Sequence, residues 1–343
     1  MRAPAFWSID GPLARLLSPF GAVYGAATRR RLRRQGVRLS IPVLCVGNLT
    51  AGGTGKTPVV IALIEALAAR SSPDLRLDLR PGLHADVHIV SRGYGGRLKG
   101  PVRVDPTRHS AEEVGDEPLL LSAFAPVWVA RDRAAAGRAA EAAGAEALIL
   151  DDGFQNPSLV KDLSLVVVDA ETGFGNGRCI PAGPLREPVA VGLGRADFLL
   201  ILGPAAARAG FRARTALPDG LPVLEGEIVP RDTGMAWEGR RVVAFAGIGR
   251  PEKFFATLRG LGADLVGAHA LADHQPIGRQ LMARLEREAR DKRAMLVTTD
   301  KDAVRLPRAL HGTAIPVPVT LRLEDPDRLE QILGKVFAFK LPG

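Results

Sequence analysis

From residue 41 onward, apolar positions fall into short unbroken runs separated by Ala- and Leu-rich stretches of helical period. The runs 41–46, 88–91, 127–130, 147–150, 165–169 and 198–202 read as strands, and 59–69, 118–124 and 133–143 as helices between them. Unbroken apolar runs alternating with helices predict α/β architecture, with a largely parallel sheet covered on both faces. The rhythm breaks at 221–240, where Val223, Leu224, Ile228 and Val229 are interspersed with turn residues, so an extended linker is expected there. A second series follows: strand 241–247, helix 251–261, strand 265–268, helix 280–290 and strand 295–298. The expected organisation is an N-terminal helical region at 1–35, a first domain at 36–220, the linker at 221–240 and a smaller second α/β domain at 241–343.

The N-terminal region has its own pattern. Leu13, Leu16, Leu17, Phe20, Val23 and Tyr24 recur at helical spacing within 12–28; Phe6 and Trp7 precede them, and Arg29, Arg30, Arg31, Arg33 and Arg34 follow. An apolar stripe beside a basic run suits a helix lying in an anionic lipid interface. It equally suits a helix packed on the protein core with a solvated basic end. Pro19 and Gly21 argue against a long continuous helix. No apolar run approaches the ~20 residues needed to cross a bilayer, and Asp10 and Arg15 interrupt any signal-peptide core.

Composition narrows the class further. With 343 residues, 46% hydrophobic and 24% charged, the chain is globular rather than disordered. Its two cysteines, Cys45 and Cys179, exclude a disulfide framework and a Cys-based zinc site, and fit a reducing compartment. The net charge of +9 draws five of its positive charges from the arginines at 29–34, so the basicity is largely local. No nucleic-acid module accompanies it, and neither a nucleic acid nor an obligate protein partner is expected.

The strongest chemical signal is Thr50-Ala51-Gly52-Gly53-Thr54-Gly55-Lys56-Thr57, placed between an expected strand and an expected helix. The backbone N–H groups of such a loop, with the positive end of the following helix, cradle phosphates. Lys56 would reach the β/γ-phosphates and the Thr57 hydroxyl would ligate Mg²⁺. Thr50 occupies the first glycine position of the strict motif, and Gly52 and Gly53 supply flexibility from within. The apolar run 147–150 ends in Asp151-Asp152-Gly153, which fits the second Mg²⁺-orienting acid of such sites, or alternatively a plain strand-ending turn. Asp116, just before Pro118, is read either as a helix cap or as a base receiving the proton of an attacking hydroxyl. His274 follows a strand of the second domain; it would either face the nucleotide across a cleft or serve as a solvated or structural histidine.

Taken together these motifs resemble the tetraacyldisaccharide 4'-kinase family, the lipid A kinases. The resemblance runs in order through nearly the whole chain: the phosphate loop, Ser91-Arg92-Gly93-Tyr94-Gly95, Val114-Gly115-Asp116-Glu117-Pro118, Asp151-Asp152-Gly153-Phe154-Gln155, Pro181-Ala182-Gly183-Pro184-Leu185-Arg186-Glu187-Pro188, Phe245-Ala246-Gly247-Ile248-Gly249, Asp273-His274 and Thr298-Thr299-Asp300-Lys301-Asp302-Ala303-Val304. It implies a P-loop NTPase-like parallel-sheet domain plus a smaller α/β domain, joined by a β-hairpin linker. It also implies transfer of the γ-phosphate of ATP to the 4'-hydroxyl of tetraacyldisaccharide 1-phosphate, on the cytoplasmic face of the inner membrane. On that reading the protein is peripheral, and its partners are the acylated lipid substrate and an anionic membrane surface. Asp116 then becomes the base with His274 as its partner. Thr57, Asp151, Asp152 and Glu187 organise Mg²⁺, and Arg186 neutralises phosphate charge. Arg92, Tyr94, Arg131 and Arg133 become candidates for holding the disaccharide or its 1-phosphate. Three positions depart from the family pattern: Asn156 and Gln275 where His is frequent, and Ile277 where an aromatic is common. The rival from another class is a P-loop ATPase that switches binding to a partner, which needs no lipid acceptor.

Overall fold

The computed structural model describes residues 4–71, 87–272 and 275–338. Among them the strands of the first half are β1 (Val43–Gly47), β2 (Val87–Ser91), β3 (Val102–Arg103), β4 (Val127–Val129), β5 (Ala147–Asp151), β6 (Leu163–Asp169) and β7 (Phe198–Leu202). Those of the second half are β8 (Val223–Pro230), β9 (Arg241–Ala246), β10 (Asp264–Ala270), β11 (Met295–Thr299), β12 (Ile315–Val317) and β13 (Val319–Leu323). The helices are α1 (Pro12–Leu32), α2 (Lys56–Ser71), α3 (Ala111–Val114), α4 (Asp116–Leu121), α5 (Arg133–Ala142) and α6 (Val189–Leu193). They continue with α7 (Ala205–Arg214), α8 (Pro251–Gly260), α9 (Arg279–Asp291), α10 (Asp300–Ala303) and α11 (Pro326–Ala338).

Nine strands form one sheet in the order β13-β8-β7-β6-β1-β5-β2-β4-β3, parallel from β8 to β4. Strands β1, β2, β5, β6 and β7 are buried throughout, which is why they read as unbroken apolar runs. Their side chains alternate between two cores. Leu44 and Val46 join Val59, Leu63, Ile64 and Leu67 of α2 on one face. Val43 and Cys45 join Ala136 and Ala140 of α5 and Phe211 of α7 on the other. β1 lies between β6 and β5, so the loop leaving its carboxyl end opens where α/β sheets place their ligands.

The second sheet, β10-β9-β11-β12, is also parallel, with α9 on one face through Met282 and Leu285 and α8 on the other through Phe254, Phe255 and Leu258. Here the structure redraws two expected boundaries. Residues 223–230 of the linker are a full strand, β8, of the large sheet. The last part of the 241–343 domain returns to the first one: β13 pairs antiparallel with β8, and Leu329 and Leu333 of α11 are buried in the same core as α2. The second α/β unit is thus held between an outgoing strand and a returning strand that pair with each other. The physical reason is that β8 and β13 bury only alternate or partial positions, a weak pattern in the chain that becomes a sheet edge only when the two meet.

Helix α1 is continuous through Pro19, and its docked face is its small one. Ala14, Gly21, Gly25 and Thr28 are buried, whereas Leu16, Phe20 and Val23 are 73%, 64% and 69% exposed. A Cβ on Gly21 would stand 2.7 Å from the carbonyl oxygen of Cys179, so only glycine permits this approach. None of the helices among the described residues is long and apolar enough to cross a membrane.

Candidate active site

The phosphate loop joins the carboxyl end of β1 to the first turn of α2, with Lys56 as that helix's first residue. Gly52 (φ +131°) and Gly55 (φ +80°) take backbone conformations that a side chain would strain. The rim of the loop is pinned to the Pro181–Pro188 run: Ala51 N–H donates to Pro184 O at 2.7 Å, and Arg186 N–H donates to Leu49 O at 2.7 Å. From below, the buried Asn48 holds it through Nδ2 to Thr50 O (2.8 Å) and Gly52 O (3.3 Å), while Lys56 Nζ donates to Asn48 Oδ1 at 3.3 Å. Thr54 Oγ1, within this loop, is buried with no hydrogen-bond partner among the described residues, an unmet donor.

Beside the loop, β5 ends in Asp151 and Asp152, and the two carboxylates have opposite electrostatics. Asp151 is buried and accepts from Ser91 Oγ (3.1 Å); burial, then the charges of Glu117 and Asp152, push its pKa up to about 7. Asp152 is also desolvated, but Lys56 at 3.4 Å and Arg186, which reaches both its oxygens at 2.9 Å, outweigh that penalty and hold it at about 2. Asp152 sits at φ +51°, a left-handed conformation that aspartate tolerates better than most residues. Its carbonyl is anchored by Arg133 Nη2 at 2.9 Å.

Two of the expected ligand candidates are engaged within the protein. Arg133 is buried beneath Asp152 and donates to its carbonyl, which shapes the turn. Glu187 is fully buried, and both its oxygens accept from Arg195 Nη2 (2.7 and 2.8 Å), with Gln155 Nε2 at 3.0 Å on one of them. So placed, Glu187 pairs with Arg195 and orients Gln155. Gln155 in turn donates to Asn48 O at 2.9 Å, which completes a relay from Arg195 to the floor of the phosphate loop.

The remaining candidates line the same carboxyl edge of the sheet. Arg92 and Tyr94 follow β2 and Arg131 follows β4, all exposed on loops. Asp116 begins α4 behind Gly115 (φ +93°); it is nearly buried, and its Oδ1 accepts from Glu117 N at 3.1 Å. His274 lies outside the described residues. Its domain nevertheless delivers another group: Lys301 Nζ stands 3.7 Å from Asp116 Oδ2 and 3.3 Å from Glu117 Oε1. Asn48, Ser91, Gln155, Arg195 and Lys301 were given no role from the sequence. Ser91, Gln155 and Lys301 lie inside the quoted motifs, so the signal was present, but their partners are distant in the chain.

The chain matches the family model described as tetraacyldisaccharide-1-P 4'-kinase over residues 13–338. It is 59% identical to the tetraacyldisaccharide 4'-kinase of Dinoroseobacter shibae and 53% identical to that of a Jannaschia species, covering 98% of this chain in each case and 98% and 99% of the relatives. Among solved structures it is similar to LpxK from Aquifex aeolicus in complex with ATP, with a TM-score of 0.72 and 25% identity, covering 95% of this chain and 99% of that one.

Proposed function

Because the chain belongs to the tetraacyldisaccharide-1-P 4'-kinase family, we infer how its own residues carry out the phosphorylation that defines the family. The enzyme transfers a phosphoryl group from ATP to the 4'-position of the lipid A disaccharide precursor. The observation that carries the assignment of roles is the meeting, on one sheet edge, of Lys56 and Arg186 with Asp152, and of Asp116 with Lys301. In this reading the loop from Thr50 to Thr57 wraps the phosphates of ATP, and Thr54 Oγ1 supplies its unused donor there. Lys56 and Arg186 carry the charge that builds on the transferring group, Arg186 through its planar fork. Asp116 faces the acceptor hydroxyl, orients it, and takes its proton late, as a loose transition state requires. His274 is proposed as its partner, while Arg92, Tyr94 and Arg131 are proposed to hold the sugar or its 1-phosphate.

The oxygen donors of Thr57, Asp151 and Asp152 fit a hard divalent cation, and a cation beside Asp151 would offset the burial and carboxylate crowding that raise its pKa. Bound Mg²⁺ supplies charge neutralisation on the β- and γ-phosphates. We further propose that the enzyme works peripherally on the cytoplasmic face of the inner membrane. The support is α1, which turns Leu16, Phe20 and Val23 outward and ends in Arg29, Arg30 and Arg31.

The test is transfer of labelled γ-phosphate in detergent micelles containing tetraacyldisaccharide 1-phosphate. Asp116→Asn is expected to lower kcat by about 10²–10⁴-fold with ATP binding retained. An Asp116→Asn enzyme of normal kcat would return Asp116 to a capping role. ATP hydrolysis independent of the lipid would favour the switch ATPase.

A further inference from the structure

The turn that follows β5 carries Asp152 at its start and Gln155 near its end, and the protein holds it at several points. Arg133 Nη2 donates to Asp152 O at 2.9 Å, and Lys161 Nζ donates to Asn156 O at 2.7 Å. Between them Phe154 is fully buried and packs so close to Gly47 of β1 that a Cβ there would overlap it. The Arg195 guanidinium lies over this ring, 4.3 Å from its centre. Its Nε is buried without a hydrogen-bond partner among the described residues, so the ring and the Nη2 bonds to Glu187 aim the fork.

Gln155 is where this support meets the phosphate loop. Its Nε2 donates to two acceptors, Asn48 O (2.9 Å) and Glu187 Oε1 (3.0 Å), which leaves Oε1 facing Arg186 Nη1 at 3.4 Å. Reversing the amide would set its oxygen against the Glu187 carboxylate and the Asn48 carbonyl, so the fully buried carboxylate selects the orientation. Arg195 in turn keeps that carboxylate in place, because a buried anion needs a paired cation. Arg186 also reaches both oxygens of Asp152, so one amide touches the phosphate-loop floor and the guanidinium beside it.

We propose that Arg195 is a positioning residue for phosphoryl transfer: stacked on Phe154 and paired with Glu187, it fixes the Gln155 amide, which ties the Asp152 turn to Asn48 and turns its oxygen toward Arg186. The proposal rests on the reading of Arg186 as a carrier of charge on the transferring group, and it assigns Arg195 no contact with either substrate.

The experiment measures kcat and both KM values in lipid micelles for Arg195→Met, Arg195→Lys, Gln155→Met and the two combinations with Gln155→Met, in the full-length enzyme. Each rate is divided by the number of sites that bind an ATP analogue, which removes any unfolded fraction. Misplacing groups around the reacting atoms costs up to about 10²-fold, so Arg195→Met and Gln155→Met are each expected to lower kcat by about 10–10²-fold. The KM for ATP should change less than about threefold, because the loop keeps its bonds to Pro184 and Arg186 and those of the Asn48 side chain. Arg195→Met/Gln155→Met should be little slower than either single variant, since residues acting as one unit are not additive. Arg195→Lys should be faster than Arg195→Met and slower than wild type, because it keeps a cation for Glu187 and gives up the flat stacking on Phe154. Should Arg195→Met fail to fold, Arg195→Lys with and without Gln155→Met reads the same coupling.

Losses that multiply in the combined variant would overturn the proposal. So would a normal rate per binding site, a raised KM for ATP at unchanged kcat, or an Arg195→Lys enzyme no faster than Arg195→Met. An Arg186→Met enzyme of normal kcat overturns the charge-carrying role of Arg186 and the Arg195 role with it. An impaired Arg186→Met enzyme beside a full-rate Arg195→Met enzyme overturns only the latter.

Discussion

Asp151 and Asp152 are consecutive in the chain and end the same strand, yet tertiary surroundings push them in opposite directions. Asp151 is buried among carboxylates, and its pKa is raised; Asp152 sits between Lys56 and Arg186, and its pKa is lowered. Linkage gives opposite consequences for stability. A raised carboxyl favours the fold while it is protonated, and that contribution is lost as pH rises from the ordinary aspartate range through about 7. A depressed carboxyl contributes above that range and loses its contribution as pH falls toward 2. Asp151→Asn is therefore expected to stabilise the metal- and nucleotide-free protein at pH 8, by on the order of 2 kcal/mol, and to change little near pH 4. Asp152→Asn should lower the melting temperature at pH 8. Thermal denaturation at the two pH values checks both signs, and a loss of stability in Asp151→Asn at pH 8 would contradict the electrostatics described here.

Helix α1 shows the same logic at the level of an element. Its small residues are used for docking and its large ones are left outside, the reverse of a helix that covers a core. The small face meets the Gly175–Pro188 segment, where Gly21 approaches Cys179, and the residues just before the helix join it: Trp7 Nε1 donates to Pro181 O at 3.0 Å, and Arg178 pairs with Asp10 at 2.8 Å. That segment also holds the phosphate loop through Pro184 and Arg186, so the helix with the exposed apolar face and the phosphate loop share one support. Replacing Leu16 and Phe20 with glutamate should reduce binding to anionic vesicles by at least about tenfold, since each large apolar side chain contributes about 1.5–3 kcal/mol when buried. The melting temperature should stay within a few degrees, because neither residue packs on the protein. Unchanged vesicle binding would remove the membrane role of this face.

At the scale of the whole molecule, two groups of ion pairs among the described residues bridge the domains on either side of the phosphate loop. One is Lys301 with Asp116 and Glu117; the other joins Arg250 and Lys253, at the start of α8, to Asp169 and Glu171, just past β6. Lys253 lies 3.1 Å from Asp169 Oδ2 and 2.6 Å from Glu171 Oε2. Burial opposes the Asp169 charge, but Arg250 and Lys253 outweigh it and lower its pKa, so this tie is complete above the ordinary aspartate range and weakens in acid. Arg250→Gln/Lys253→Gln is expected to raise the radius of gyration in solution scattering and to speed proteolysis between residues 231 and 240. Both effects should be reproduced in the native protein by high salt, which screens such partly exposed pairs. A scattering profile identical to that of the native protein at low salt would show that the tie does not hold the domains.

Much of this was legible in the chain because the period and identity of residues carry it locally. Unbroken apolar runs announced the buried parallel strands, and glycines before Lys56-Thr57 announced a loop that only such backbones can form. The order of short motifs matched the family that the comparisons establish. What the chain did not show is whatever depends on two distant segments meeting. β13 became part of the first sheet only by pairing with β8, ninety residues or so earlier in the chain. Arg133 and Glu187 show only their charge in sequence; the Asp152 carbonyl and the Arg195 fork that they meet are not visible there. Lys301 lay in a recognised motif without a role until folding brought it to Asp116. Periodicity and local motifs determine which elements form and which chemistry they carry; the burial of charge, and the partner each charge is given, is decided only when the sheets and domains assemble.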